Sequence, residues 1–436
     1  MEIPFTAHKL DNGLDVLVHE DHGCPIVAVN LWYHVGSKNE TLGRTGFAHL
    51  FEHLMFEGSQ HYDRGYFHPL QEAGASLNGS TNADRTNYWE VVPTNALELA
   101  LWMESDRMGY LLPALTAAKF DNQRDVVLNE RRQNYENRPY GLAGMALMSA
   151  LYPADHPYHW LTIGAADDIR AAKLEEVKAF FQTYYRPRNA SIAVAGDVDT
   201  TEVLVLVDDY FGEIDGGPEP PAFKPPRSSP PTAEIRLLHE DRVELPRLYL
   251  AWLSPALFAE TDAELDLVAD LLSSGKTSRL YRSLVYEQRI ATEIAASQNS
   301  REAGGFFQVA ATAAPGRTLA ELDRAISAEI DAIATKGPVE AEMERALAQA
   351  EAHFIYRLQT VGGFGGKSDQ LNAYNMFLGD AGYFERDLAR YRNVTADALK
   401  RAAAGWLQPN RRVALSVVPH GRIALALPNS QPVVVS

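Results

Sequence analysis

Apolar and polar positions along this chain switch repeatedly between helical spacing, roughly 3.6 residues, and the alternation or short continuous runs of strands. Phe47, Leu50, Phe51, Leu54 and Met55 make one apolar stripe at helical spacing. Gly43 and Gly46 ahead of it and Gly58-Ser59 behind it predict loops that bound a short, partly buried helix. A second helix is predicted from about Thr116 to Asn137, where Phe120, Val127, Leu128 and Tyr135 stand among charges and Arg138-Pro139 ends the run. Ile26 to Tyr33 and Arg247 to Trp252 read as strands. Between Ala73 and Pro93, small and polar residues give way to Tyr88-Trp-Glu-Val-Val92, which predicts a two-stranded hairpin whose first strand has little bulk.

The pattern divides the chain in two. Gly216 to Pro231 is rich in proline and has no periodicity, so it is expected to be an extended linker. On either side of it the same order of elements recurs. A helical stretch from Lys173 to Tyr185, then Arg186-Pro187-Arg188-Asn189, leads into the apolar run Ser191 to Ala195. Thr395 to Leu407, then Gln408-Pro409-Asn410-Arg411, leads into Val413 to Val418. This is an internal repeat. The expected fold is α+β: domains at 1–215 and 232–436, each a mainly antiparallel sheet with helices packed on it, joined by the linker at 216–231.

Composition narrows the function classes. The chain has 436 residues, 46% of them hydrophobic, and no apolar run of the ~18 residues that would suggest a membrane span. A net charge of -17 argues against a nucleic-acid partner. Gathered around a cavity, that charge would favour basic peptides, although a solvated acidic surface accounts for it equally well. The single cysteine, Cys24, excludes an internal disulfide and a thiolate cluster, and is expected to fill a packing position. The N-terminal residues lack the basic-then-apolar order of a signal peptide. The compartment reads as cytoplasmic if the chain is complete and periplasmic if Met1 replaces a removed leader.

The chemistry is concentrated in His49-Leu50-Phe51-Glu52-His53. On a helix the two histidines stand one turn apart on the same face, so both ring nitrogens can converge on one ion. Glu52 lies beside them, where it can accept a proton from a water held at the metal. Catalytic zinc takes three protein ligands and keeps a fourth position open. A third ligand is therefore required from elsewhere in the chain.

At this motif the chain resembles the inverted-motif zinc peptidases, the M16 group of pitrilysin, insulin-degrading enzyme and mitochondrial processing peptidase, and the resemblance extends over its whole length. The family pattern H-x-x-E-H is followed, 77 residues after the second histidine, by a glutamate ligand, and that spacing leads from His53 to Glu130. The resemblance implies one Zn2+ per chain on His49, His53 and Glu130, with Glu52 as general base; the same donors would also take manganese or cobalt. Many members carry another glutamate two turns before the ligand, where this chain has Gln123. Its amide can still hydrogen-bond a ligand but brings no charge, so tuning of the site is expected, not loss. In the family the first strand of the hairpin pairs with the backbone of an extended peptide substrate, which assigns Ser76, Leu77, Asn78 and Gly79 to substrate binding, the last two beside the scissile bond.

One part of the family pattern is missing. Members that cleave alone place an arginine and, seven residues on, a tyrosine from the second half against the substrate carbonyl. Here those positions are Val285 and Thr292. Arg279 and Tyr286 have the same spacing but lie six residues early. The resemblance therefore implies the zinc-bearing subunit of a heterodimer, with a homologous metal-free M16 subunit supplying the Arg/Tyr pair. A self-sufficient homodimeric peptidase and a non-catalytic structural core subunit are the alternatives. Thr360-Val-Gly-Gly-Phe-Gly-Gly366 does not have the spacing of a phosphate cradle and is expected to form a loop facing a cavity.

Overall fold

The computed structural model describes residues 2–435; Met1, on which the question of a leader rests, lies outside them. Among the described residues the strands form two six-stranded sheets. The first contains β1 (Thr6–Lys9), β2 (Asp15–Glu20), β3 (Ile26–Tyr33), β4 (Ser76–Thr81), β5 (Thr86–Pro93) and β6 (Ala190–Gly196), in the order β1-β2-β6-β3-β5-β4. The second contains β7 (Ile235–Asp241), β8 (Arg247–Ser254), β9 (Ala291–Asn299), β10 (Gly305–Ala313), β11 (Val413–Pro419) and β12 (Gln431–Pro432), in the order β12-β7-β11-β8-β10-β9. The runs β2-β6-β3-β5-β4 and β7-β11-β8-β10-β9 agree strand for strand: the first pair of each is parallel and the rest antiparallel. The internal repeat is thus a repeat of topology, and the fold is α+β as expected.

The compact units are interleaved along the chain. One consists of 1–129, 162–224 and 353–386, the other of 130–161, 225–352 and 387–436. Each sheet is built from its own half of the sequence, but each unit takes in a helical segment from the other half. In the first unit, β3 residues Ala28, Asn30 and Trp32 share one face with Asn87, Trp89 and Val91 of β5, by direct antiparallel pairing. That face lies under the helix Lys367–Leu378, whose Asp369 Oδ1 accepts from Asn30 Nδ2 (3.2 Å), Trp32 Nε1 (2.9 Å) and Asn87 Nδ2 (3.1 Å). Alternate residues Val29, Leu31 and Tyr33 point the other way and are buried. In the second unit the helices Asp262–Ser273, Leu319–Lys336 and Ala396–Trp406 build one core on the sheet, centred on Trp252, Leu267, Phe307, Ile326 and Leu399.

Two local expectations need correction. The helix predicted to Asn137 keeps α geometry only over Ala117–Arg131, and Arg132–Glu136 forms a wider π turn in which Asn137 N–H reaches Arg132 O at 2.8 Å. The widened turn unwinds the helix ahead of Arg138-Pro139, where proline forbids continuation. Cys24 is exposed and does not fill a packing position. It lies in the turn between β2 and β3, where alternation no longer dictates which side chains are covered.

The second core carries an acid that makes stability pH-dependent. Burial, opposed by a hydrogen bond from Tyr391 Oη (2.6 Å), pushes the Asp266 carboxyl up to about 7 from its ordinary 3.8. A raised carboxyl pKa favours the fold fully below the unfolded value, and that contribution is lost as pH rises through the folded one. Stability should therefore fall between about pH 4 and pH 7, by up to ~1.4 kcal/mol per pH unit from this group, and the melting temperature with it. Asp266→Asn should flatten that slope; an unchanged decline in the variant assigns it to other groups.

Candidate metal centre

The motif helix spans Phe47–Leu54 and owes its short, fixed geometry to its two ends. Gly46, at φ +90°, turns the chain into it, and a Cβ there would lie 3.0 Å from Ile169 Cγ1, so only glycine fits. The buried Glu40 carboxylate accepts from Gly46 N (2.9 Å) and Ala48 N (2.8 Å), putting negative charge on the helix N-terminus. Phe51 is buried against the rings of Phe181 (5.0 Å) and Tyr185 (4.8 Å), which clamps the helix by its apolar stripe. The opposite side presents His49, Glu52 and His53, all half-buried.

His49 and His53 bring their ring centroids to 4.8 Å with planes at 84°. Glu130 joins them from the last turn of the helix Ala117–Arg131, and one donor atom from each of the three residues lies within 4.8 Å of the others. A continuous helical backbone carries the carboxylate. Two imidazoles and one carboxylate form a donor set suited to catalytic zinc, whose bonds to such ligands run at about 2.0–2.2 Å. Gln123, two turns back on the same helix, donates its amide to Glu57 just beyond the motif helix; its hydrogen bond among the described residues is not to a ligand.

Behind the motif lies a platform that periodicity did not reveal. Arg107, almost fully buried on the helix Leu97–Ala114, stacks over Tyr66 (3.9 Å), Tyr88 (4.2 Å) and Phe56 (5.4 Å). Its charge is balanced by the buried Glu104, with Arg107 Nε at 2.8 Å from Glu104 Oε2. Burial, and after it the Glu104 charge, pushes the neighbouring Glu90 carboxyl well above the usual carboxylate range. Only the order of helix and strand residues in space joins these positions; no sequence spacing would have found them.

β4 is the edge of the first sheet, and its hairpin sets which backbone groups face outward. Asn82 N–H donates to Arg85 O at 3.0 Å, and the register Ser80↔Asn87, Asn78↔Trp89, Ser76↔Val91 continues that bonded set. By the alternation of an antiparallel ladder, Leu77, Gly79 and Thr81 direct N–H and C=O to the open edge. Gly79 N–H is met there by the side chain of Asn78, whose Oδ1 lies at 2.9 Å. A Cβ on Gly79 would be 3.0 Å from Tyr88 and 3.1 Å from Phe56, so the glycine lets the edge lie against the platform. Arg85 braces the hairpin through Ser80 O (2.8 Å) and Ser80 Oγ (2.6 Å). Burial lowers its pKa, while Asp369 and Glu52 oppose the shift, which places a cation within electrostatic reach of the motif carboxylate.

In the second unit, the positions singled out around the missing Arg/Tyr pair behave as follows. Val285 packs against the core and Thr292 is exposed on β9. Arg279 is bound bidentately to Glu342 at 2.8 and 2.6 Å, and Tyr286 is 73% exposed.

Residues 15–158 match the insulinase (peptidase family M16) model and residues 171–350 the model of the M16 inactive domain. The zinc protease PqqE of Helicobacter pylori is 30% identical over 357 residues, covering 80% of this chain and 79% of that protein. The mitochondrial-processing peptidase β subunit of Caenorhabditis elegans is 26% identical over 241 residues, covering 55% of this chain and 50% of that protein. Among solved structures, a protease from Helicobacter pylori superposes with TM-score 0.88 at 25% identity, over 95% of this chain and 100% of the other. The periplasmic protease PqqL of Escherichia coli shares the fold at TM-score 0.77 and 18% identity, over 98% of this chain and 50% of that one. No helix among the described residues is long and apolar enough to cross a membrane. The Helicobacter pylori relative carries the name zinc protease, and the chain itself belongs to peptidase family M16.

Proposed function

We propose that this chain is the zinc-bearing subunit of a metalloendopeptidase that cuts extended peptides added as a strand to β4. The observation that carries the reading is the convergence of His49, His53 and Glu130 beside Glu52. When bound, zinc lowers the pKa of its water and polarises the scissile carbonyl. Glu52 takes the proton of the attacking water and delivers it to the leaving amine, a transfer its place next to His53 allows. Leu77, Gly79 and Thr81 offer outward backbone groups that would hold the peptide by main-chain pairing, after the Asn78 side chain swings off Gly79 N–H. Selection by backbone is loose in sequence and demands an extended substrate. Ser76 and Asn78 would flank the peptide on the other face.

Metal content tests the reading. The purified chain should hold one zinc, and Glu130→Gln should lower its affinity by at least about tenfold, since an amide is a poorer ligand than a carboxylate. Elemental analysis after dialysis against a weak chelator measures this. Full zinc retention in Glu130→Gln moves the third ligand elsewhere; a wild-type chain that never retains metal supports the non-catalytic subunit instead.

A further inference from the structure

The glycine-rich segment at 360–366 has no part in the zinc chemistry, yet it is built into the same unit as the edge strand. Gly362 is pressed onto the sheet: a Cβ there would fall 2.5 Å from Ala28 Cβ and 2.6 Å from Val91 Cγ2. Gly363 and Gly365 adopt φ of +81° and +77°. The segment is tied down by Gly365 N–H to Asp369 Oδ2 (2.7 Å), Lys367 N–H to Thr360 O (3.0 Å) and Ser368 N–H to Val361 O (3.0 Å). It is therefore a fixed wall.

Between that wall and the edge strand opens a cavity of about 460 Å³, floored by Ile26, Trp89 and Val91 and bordered by Ser76, Gly362 and Cys24. This is within the roughly 300–1,000 Å³ of ligand clefts. The Trp89 ring meets Phe364 edge-on at 5.4 Å, and its indole Nε1 is buried with no acceptor among the described residues. The occupant this suits has an apolar body.

Direction comes from the pleat. Ser76 and Asn78 share the face of Val91 and Trp89, whereas Gly79 and Tyr88 face Phe56 beyond the motif helix. Side chains of a strand added to β4 alternate in the same way. Those level with Ser76 point to the cavity face, and the small Ser76 side chain leaves the way across open. We infer that the cavity is a side-chain subsite of the added peptide, taking one bulky apolar residue, aromatic or branched, two or three positions from the scissile bond. The inference rests on the peptidase reading and on pairing at β4.

The test has two independent readouts. Peptides of alanine and serine carrying one phenylalanine at successive positions are offered to the zinc-loaded chain together with its partner subunit. One register should raise kcat/KM by about tenfold over alanine. Cys24, the single cysteine, borders the cavity, so the same peptide should slow its alkylation by iodoacetamide several-fold in the Glu52→Gln chain, which does not consume it. Ile26→Trp, at the exposed end of β3, should fill the cavity and abolish both differences. Cleavage without register dependence, unslowed alkylation, or a preference that survives Ile26→Trp overturns the subsite. Register-dependent protection of Cys24 without cleavage keeps the subsite and overturns the peptidase reading.

Discussion

Glu52→Gln should retain zinc and lose about 10³-fold in kcat, because the amide keeps the size and polarity of the side chain but cannot accept a proton. None of the three proposed ligands is touched by the exchange, so metal content and melting temperature should stay near wild type. The loss should appear in kcat with little change in KM, since Glu52 binds no part of the resting peptide in this mechanism. Turnover of a quenched peptide and elemental analysis on the same samples measure both quantities. Near-normal turnover with full zinc would move the general base to another residue.

Cleavage by the chain alone should be about 10²–10³-fold below that of the chain with its metal-free homologue, the typical loss when a donor to the developing oxyanion is missing. The second unit gives the reason. Val285 is packed into the core and Thr292 has no donor long enough to replace a tyrosine. Arg279 cannot stand in cheaply, because it would first have to leave Glu342, to which it is held at 2.8 and 2.6 Å. Releasing it would leave a half-buried carboxylate unpaired. The natural candidate for the partner is the product of an adjacent homologous gene, added in increasing ratio to a fixed amount of this chain. Activity that saturates near one to one supports the dependence. Full activity without it refutes the dependence, and activity that rises with the concentration of this chain alone points to a homodimer.

Much of the fold was legible because each half writes its elements in local patterns. The stripe of Phe47, Leu50, Phe51 and Leu54 and the runs at Ile26–Tyr33 and Val413–Val418 depend only on near neighbours, as does the proline-rich break. The matching segments before β6 and β11 announced a repeat that the strand order then bore out. Less legible was where each compact unit ends. The exchange of 130–161 and 353–386 between the units depends on which sheet a helix meets in space, which no local pattern states. Cys24 is exposed for a related reason: a small apolar residue in a turn is buried only if something folds over it, and nothing local says whether it does.

The sequence by itself determined the donor types and their spacing: two imidazoles one helical turn apart, a carboxylate between them and a second carboxylate far along the chain. These follow from side-chain chemistry and from the geometry of a single helix. Only the tertiary structure decided that Glu130 meets His49 and His53, that buried Arg107 and Glu104 support the aromatic platform behind the edge, and that a glycine-rich wall faces Trp89 across a cavity. Each of those joins residues distant in sequence through burial and packing, and such contacts leave no period for a reader of the chain to count.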